Sequence, residues 1–180
     1  MTVQEIKDFV LNKLGFKEMP DKYVLQFVNE IMDSLAIDYD SAGKKTTYTI
    51  TATKGTWTDL PNDCIAVKRC FKDNSEYNYD DFIIENGQIQ FNTDGTYTIE
   101  YLALPSHVTT LNEVPGVNII FHEALSLGVA YKEACRNFMY DNDTVKSQLY
   151  VEYTSAKETA KSRASNSKRS RKRIKYADFF

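Results

Sequence analysis

One stretch, Pro115 to Tyr140, limits what this chain can fold into more than any other. Ile120, Ala124, Leu127, Tyr131, Ala134 and Phe138 recur at steps of three and four, the spacing of one helix face, and Ile119, Leu125, Val129 and Ala130 widen that face. A helix so broadly apolar, nearly free of charge before Lys132, belongs at the centre of a domain, with other helices covering it. Pro115 suits its entry, and Asp141-Asn142-Asp143 suits its exit.

The covering helices lie on both sides of it in sequence. Thr2-Val3-Gln4-Glu5 is a capping box, in which the hydroxyl and the carboxylate each satisfy a free amide. Val3, Ile6, Phe9, Val10 and Leu14 then form one face, and Gly15 is placed to end the helix. A second helix starting at Pro20 or Asp21 turns Val24, Phe27, Val28, Ile31 and Leu35 inward and ends near Ile37. The short link between the two favours an antiparallel pair. A last helix, capped by Asp143, presents Val145, Leu149, Tyr153, Ala156 and Ala160.

The periodicity changes from helical to alternating between Asp40 and Leu104. Thr46–Thr53 sets Tyr48, Ile50 and Ala52 against threonines, and Ile65, Val67 and Phe71 fall on one side of a second run. Phe82–Glu85 and Gln88–Phe91 flank Asn86-Gly87, a hairpin signal, and Asp94-Gly95 predicts a second hairpin joining Phe91 to Tyr97–Tyr101. Trp57 and Leu60-Pro61 are expected at a corner. The predicted class is α+β: an antiparallel helical bundle of about four helices with an inserted small antiparallel β-sandwich or barrel. The helical domain takes residues 1–39 and 105–164, the β insertion 40–104, and an extended C-terminal arm 165–180.

Chemistry is hard to find in these residues. Phe121-His122-Glu123-Ala124-Leu125-Ser126 opens like a zinc-protease helix, but Ser126 stands where the second histidine is needed. His122 therefore reads as a core-edge or interface residue, and His107 as an exposed residue of a link. Cys64, Cys70 and Cys135 show neither knuckle spacing nor pairing and read as reduced, partly buried thiols of a cytosolic product. No glycine-rich phosphate loop or nucleophile–base motif is present, and Asp80-Asp81 and Asp141/Asp143 read as solvated turns. No catalytic residue, cofactor or metal is expected. No run approaches about 18 apolar residues, so no transmembrane helix is expected, and the opening residues lack a signal-peptide pattern.

Charge points to partners instead. The net −3 conceals a division: residues 157–180 carry nine Lys/Arg against Glu158 and Asp178, a surplus of seven, which leaves residues 1–156 at −10. The arm contains Lys168, Arg169, Arg171, Lys172, Arg173 and Lys175 and ends on Ile174, Tyr176, Phe179 and Phe180. Basic residues alone suit salt-sensitive binding to nucleic acid, or merely a solvated tail. The apolar end adds an anchor, so the arm reads as a segment that is disordered when free and folds onto a partner.

The order of the parts resembles a known family. Two N-terminal helices, a β region with Leu60-Pro61-Asn62-Asp63, the run Tyr97–Pro105, Glu113-Val114-Pro115, Phe121–Leu125 and a last helix with a tail are similar to the head-to-tail adaptor (connector, or neck ring) proteins of tailed bacteriophages, especially short-tailed ones. The resemblance implies a non-enzymatic virion component at the neck, assembled in the host cytoplasm. It implies a ring of about twelve subunits beneath the portal, which extends the DNA channel and offers a surface to tail or nozzle proteins. The C-terminal segment, roughly Ser165 to Phe180, would be the portal-docking arm. The β insertion would face the tail or a neighbouring subunit. An acidic body suits a channel through which DNA slides without sticking, and an arm that orders only on docking would prevent premature assembly. Two other readings stay open: another phage tail-completion or tail-hub component, and a nucleic-acid-binding protein using the basic arm.

Overall fold

The computed structural model describes residues 1–73, 75–77, 81–137 and 143–177, with side chains of the last helix described as far as Asn166. The chain forms two units, Met1–Ala42 with Pro105–Phe180, and Gly43–Leu104. The fold is α+β, with four α-helices and two antiparallel sheets among the described residues.

In the helical unit, α1 (Val3–Leu14), α2 (Asp21–Asp38) and α4 (Asp143–Ala177) all pack on α3 (His122–Arg136). The α1 capping box closes as its sequence suggests: Glu5 N–H donates to Thr2 Oγ1 at 3.2 Å, and Thr2 N–H donates to Glu5 Oε2 at 2.8 Å. Two further first-turn amides find acceptors in the link before α3. Val3 N–H donates to the Glu113 carbonyl at 2.9 Å and Gln4 N–H to that of Leu111 at 2.8 Å. Helix α3 is buried over most of its circumference, from Ala124 through Ala130 and again at Glu133 and Ala134. Gly128 lets α2 and α4 close on it. A Cβ there would lie 3.0 Å from Tyr153 Cε2 and 3.1 Å from two carbons of Ile31.

Three helical expectations need correcting. The central helix does not enter at Pro115; Asn118 caps a 3₁₀ turn, Ile119–Phe121, that leads into α3. Ile119, assigned to the buried face, is consequently 75% exposed. The helix ends at Arg136, while Phe138 and the proposed exit at 141–142 lie outside the described residues. The extended arm is the third correction, because the backbone of α4 continues helically past Ala164 to Ala177. No Gly or Pro interrupts Asp143–Ala177, Lys, Arg and Ala favour helix, and a helix already nucleated upstream adds residues without a fresh nucleation cost.

The β unit contains β1 (Lys44–Ala52), β2 (Trp57–Asp59), β3 (Cys64–Lys72), β4 (Ser75–Tyr77), β5 (Phe82–Glu85), β6 (Gln88–Phe91) and β7 (Gly95–Ala103). One sheet has the order β1-β7-β3-β4 and the other β2-β6-β5. The Asn86-Gly87 hairpin forms, with both residues at positive φ (49° and 76°), the geometry for which Asn-Gly is selected. The expected second hairpin does not form: β6 and β7 lie in different sheets, and β7 runs between β1 and β3. The turn residues instead carry the chain across, with Phe91 and Tyr97 stacked at 3.8 Å between centroids. Strand β3 also departs from simple alternation. Two register shifts against β7, between Cys64 and Ala66 and between Val67 and Arg69, stretch the inward spacing from two residues to three. Cys64, Val67 and Cys70 therefore meet the core in place of Ile65, Val67 and Phe71. Trp57 opens β2, paired with Gln90, directly after the crossing from one sheet to the other. The two sheets share one apolar cluster, built on Ile50, Ile89, Phe91, Tyr97 and Ile99.

Candidate functional site

The basic arm is an outgrowth of α4, so its position depends on what holds that helix. Leu149, Tyr153, Ala160 and Ala164 are buried along one stripe, and Ala164 is the last buried residue described. Tyr39, at the end of α2, clamps the middle of the helix. Its hydroxyl donates to Glu158 Oε1 at 2.9 Å, and its ring lies 5.6 Å from that of Phe121. Lys157 and Lys161 hold their ammonium groups over the same ring at 5.9 and 5.6 Å, and Lys157 also pairs with Asp38 at 3.4 Å. Burial, then the bond to Glu158, push the Tyr39 phenol up to about 12, so it stays a hydrogen-bond donor at neutral pH. Nothing local in the sequence marks Tyr39, because its partners lie on a helix more than a hundred residues away.

Beyond the clamp, Lys168, Arg169, Arg171, Lys172, Arg173, Ile174, Lys175 and Tyr176 all lie on the helical backbone of α4. Phe179 and Phe180 lie outside the described residues. The thirteen residues from Ser165 to Ala177 continue the helical backbone on the order of 20 Å past Ala164.

A groove of about 570 Å³ runs between α1, α3 and α4, floored by Phe9, Leu127, Val151 and Ala156. Lys13 and Glu152 bridge it at 2.8 Å, and that lysine, with Gln148, holds the Glu152 carboxyl below the usual carboxylate range. On another side of α3, fully buried Glu133 is neutralised by Arg136 through two bonds of 2.6 and 2.7 Å, and the guanidinium stacks 4.2 Å from the Tyr23 ring centroid. A Glu-x-x-Arg pair on a helix is a readable signal; its burial is not.

The two histidines have structural surroundings. His122 is buried, its Nδ1 3.1 Å from the Met1 amine and its Nε2 3.3 Å from the Val117 carbonyl. Burial, then that amine's charge, hold its pKa below the ordinary histidine value. His107 is exposed and pairs with Asp33 at 2.8 Å. Among the described residues, no three His, Cys, Asp or Glu side chains converge as a metal set.

A family model described as SU10 adaptor protein matches residues 1–174. The chain belongs to that family. This adaptor is thus a structural protein of the bacteriophage virion, of the head-to-tail kind found in short-tailed phages, placed at the neck in contact with other head and tail proteins. The family is not one of enzymes. A comparison with curated proteins gave no match. No helix among the described residues of the adaptor is long and apolar enough to cross a membrane.

Proposed function

We propose that this adaptor assembles as a ring of about twelve copies beneath the portal, docks through the end of α4, and carries the DNA channel on toward the tail. The observation that supports this most directly is the helix itself. It is clamped at Tyr39, packed to Ala164, and continued on the order of 20 Å as a basic segment ending in aromatic residues. The positive charges of Lys168–Lys175 would meet acidic grooves between portal subunits, and Ile174, Tyr176, Phe179 and Phe180 would fill pockets there. The acidic remainder, −10 over residues 1–156, repels DNA and so favours free passage. Surfaces away from the arm would receive tail or nozzle proteins.

The test is mass photometry of the chain with and without portal rings, comparing full length with a chain ending at Ala164. Portal-dependent ring formation that requires residues 165–180 is the expected result. A chain that ignores portal rings yet shifts on DNA, with affinity falling steeply in salt, refutes the proposal in favour of nucleic-acid binding by the arm.

A further inference from the structure

Asn86 is the one asparagine in the chain that precedes a glycine. It stands at the tip of the β5–β6 hairpin, where φ is 49° at Asn86 and 76° at Gly87, the pattern of a type I′ turn. Both residues are exposed. The ladder closes at Glu85 opposite Gln88, so the Gly87 amide takes no part in it. That amide donates to no other backbone carbonyl among the described residues. A Cβ built at Gly87 would meet nothing within 4 Å. A side-chain amide, an unused main-chain nitrogen on the next residue and open space around both are what an attack of the second on the first requires.

We infer that Asn86 is a site of spontaneous deamidation and main-chain rearrangement, gated by the opening of its own hairpin. The Gly87 nitrogen gives its proton to hydroxide and bonds to Asn86 Cγ, while the side-chain nitrogen leaves as ammonia. Water then opens the cyclic imide at either of its carbonyls. Attack at Cγ yields aspartate. Attack at the main-chain carbonyl yields isoaspartate, whose backbone runs through the former side chain.

The turn sets the gate. In a type I′ turn ψ of the first central residue is about +30°, which holds the Gly87 nitrogen nearly anti to Asn86 Cβ. Closing the imide needs that nitrogen on the same side as Cβ, a rotation of about 150° from the turn value. The closed ladder resists such a rotation, and Gly87 is tied on its far side as well. Its carbonyl accepts from the Leu60 amide at 2.9 Å, and the side-chain amide of Gln88 donates to Asp59 Oδ1 at 2.8 Å. The reaction therefore proceeds from the opened hairpin, at a rate set by how often it opens.

The two products differ in what they leave standing. Asp-Gly suits a type I′ turn as Asn-Gly does, so aspartate keeps the hairpin and adds a negative charge next to Glu85. That charge also shares a hollow with Asp59. Isoaspartate adds a methylene to the main chain of a two-residue loop, and the fit of that loop is what fixes the register of the strands. A slip of one residue turns Phe82, Ile89 and Phe91, all buried, away from the core. The rearranged main chain cannot rebuild the original ladder, so the change runs one way and accumulates with the age of the chain.

The experiment holds the full-length adaptor at mildly alkaline pH, folded and in urea, and follows the peptide spanning residues 82–91 by mass spectrometry with an isoaspartate-specific assay. Localising the change to that peptide separates it from Asp94-Gly95, whose carboxylate accepts from the Lys54 amide at 2.6 Å. Conversion at Asn86 is expected in both samples, about tenfold or more slower in the folded one. Equal rates overturn the gate. A folded sample still unconverted long after the unfolded one is complete overturns the site, as does conversion chiefly at another asparagine. Amide hydrogen exchange tests the consequence. The Asn86→Asp variant should keep the protection of residues 82–91, while the isoaspartate fraction should exchange there about tenfold or more faster. An isoaspartate fraction as protected as the Asn86→Asp variant overturns the loss of register.

Discussion

Gly128→Ala tests the packing of α3 most sharply, because two effects of similar size oppose each other there. In an exposed helix the change would stabilise by about 0.8–1 kcal/mol, through the lower backbone entropy lost on folding. Here the new methyl would sit 3.0 Å from Tyr153 Cε2 and 3.1 Å from Ile31 Cδ1 and Cγ2, closer than carbon atoms normally approach. Both neighbours are buried, on different helices, and Tyr153 is further held by Lys157 lying 4.8 Å over its ring. Overpacking of this kind costs about 1–3 kcal/mol. The net expectation is a loss of about 0–2 kcal/mol, centred near 1, or about 2–4 °C in melting temperature per kcal/mol for a chain of this size. Gly128→Val adds two more methyls and should lose about 3 kcal/mol or more, lowering the melting temperature by about 6–12 °C or more. Urea and thermal unfolding monitored by circular dichroism measure both. An Ala variant stabilised by about 1 kcal/mol would show that α2 and α4 do not close on this residue, and would refute the account of α3 as the packing centre.

Tyr39→Phe should cost about 1 kcal/mol through loss of the bond to Glu158. Because the folded phenol is pushed up to about 12, its stabilisation is complete below the ordinary tyrosine value and is lost as pH rises through about 12. The variant should thus show a shallower fall in stability over that alkaline window, followed by equilibrium unfolding at a series of pH values. A thiol reagent at mildly alkaline pH should modify exposed Cys135 quickly and half-buried Cys64 slowly. Cys70, buried and pushed up to about 11 by burial, should react only on unfolding, and rapid labelling of it in the folded chain would contradict the bulged register of β3.

Local patterns that need no distant partner were legible in the residues. The capping box at Thr2, the left-handed stop at Gly15 and the Asn86-Gly87 turn each depend on side chains within a few positions, and each forms. The extent of α4 was not legible, because scarce apolar residues point to a helix end, whereas propagation from a packed upstream segment does not require them. Of the arm, its composition was readable. The clamp beneath it was not, because the bonds to Tyr39 come from residues distant in the chain.

The sequence by itself determined the elements of this adaptor: helical periodicity at both ends, alternation between, and the division of charge between arm and body. Each follows from side-chain spacing along one segment. Tertiary structure alone decided which strands are neighbours. Asp94-Gly95 marks a turn but cannot say that the strand after it will cross to the other sheet and lie between β1 and β3. It also decided that two bulges would turn Cys70 rather than Phe71 inward, and that Ile119 would face outward. Pairing and burial depend on contacts between residues far apart in the chain, and the same apolar pattern satisfies several such arrangements until packing selects one.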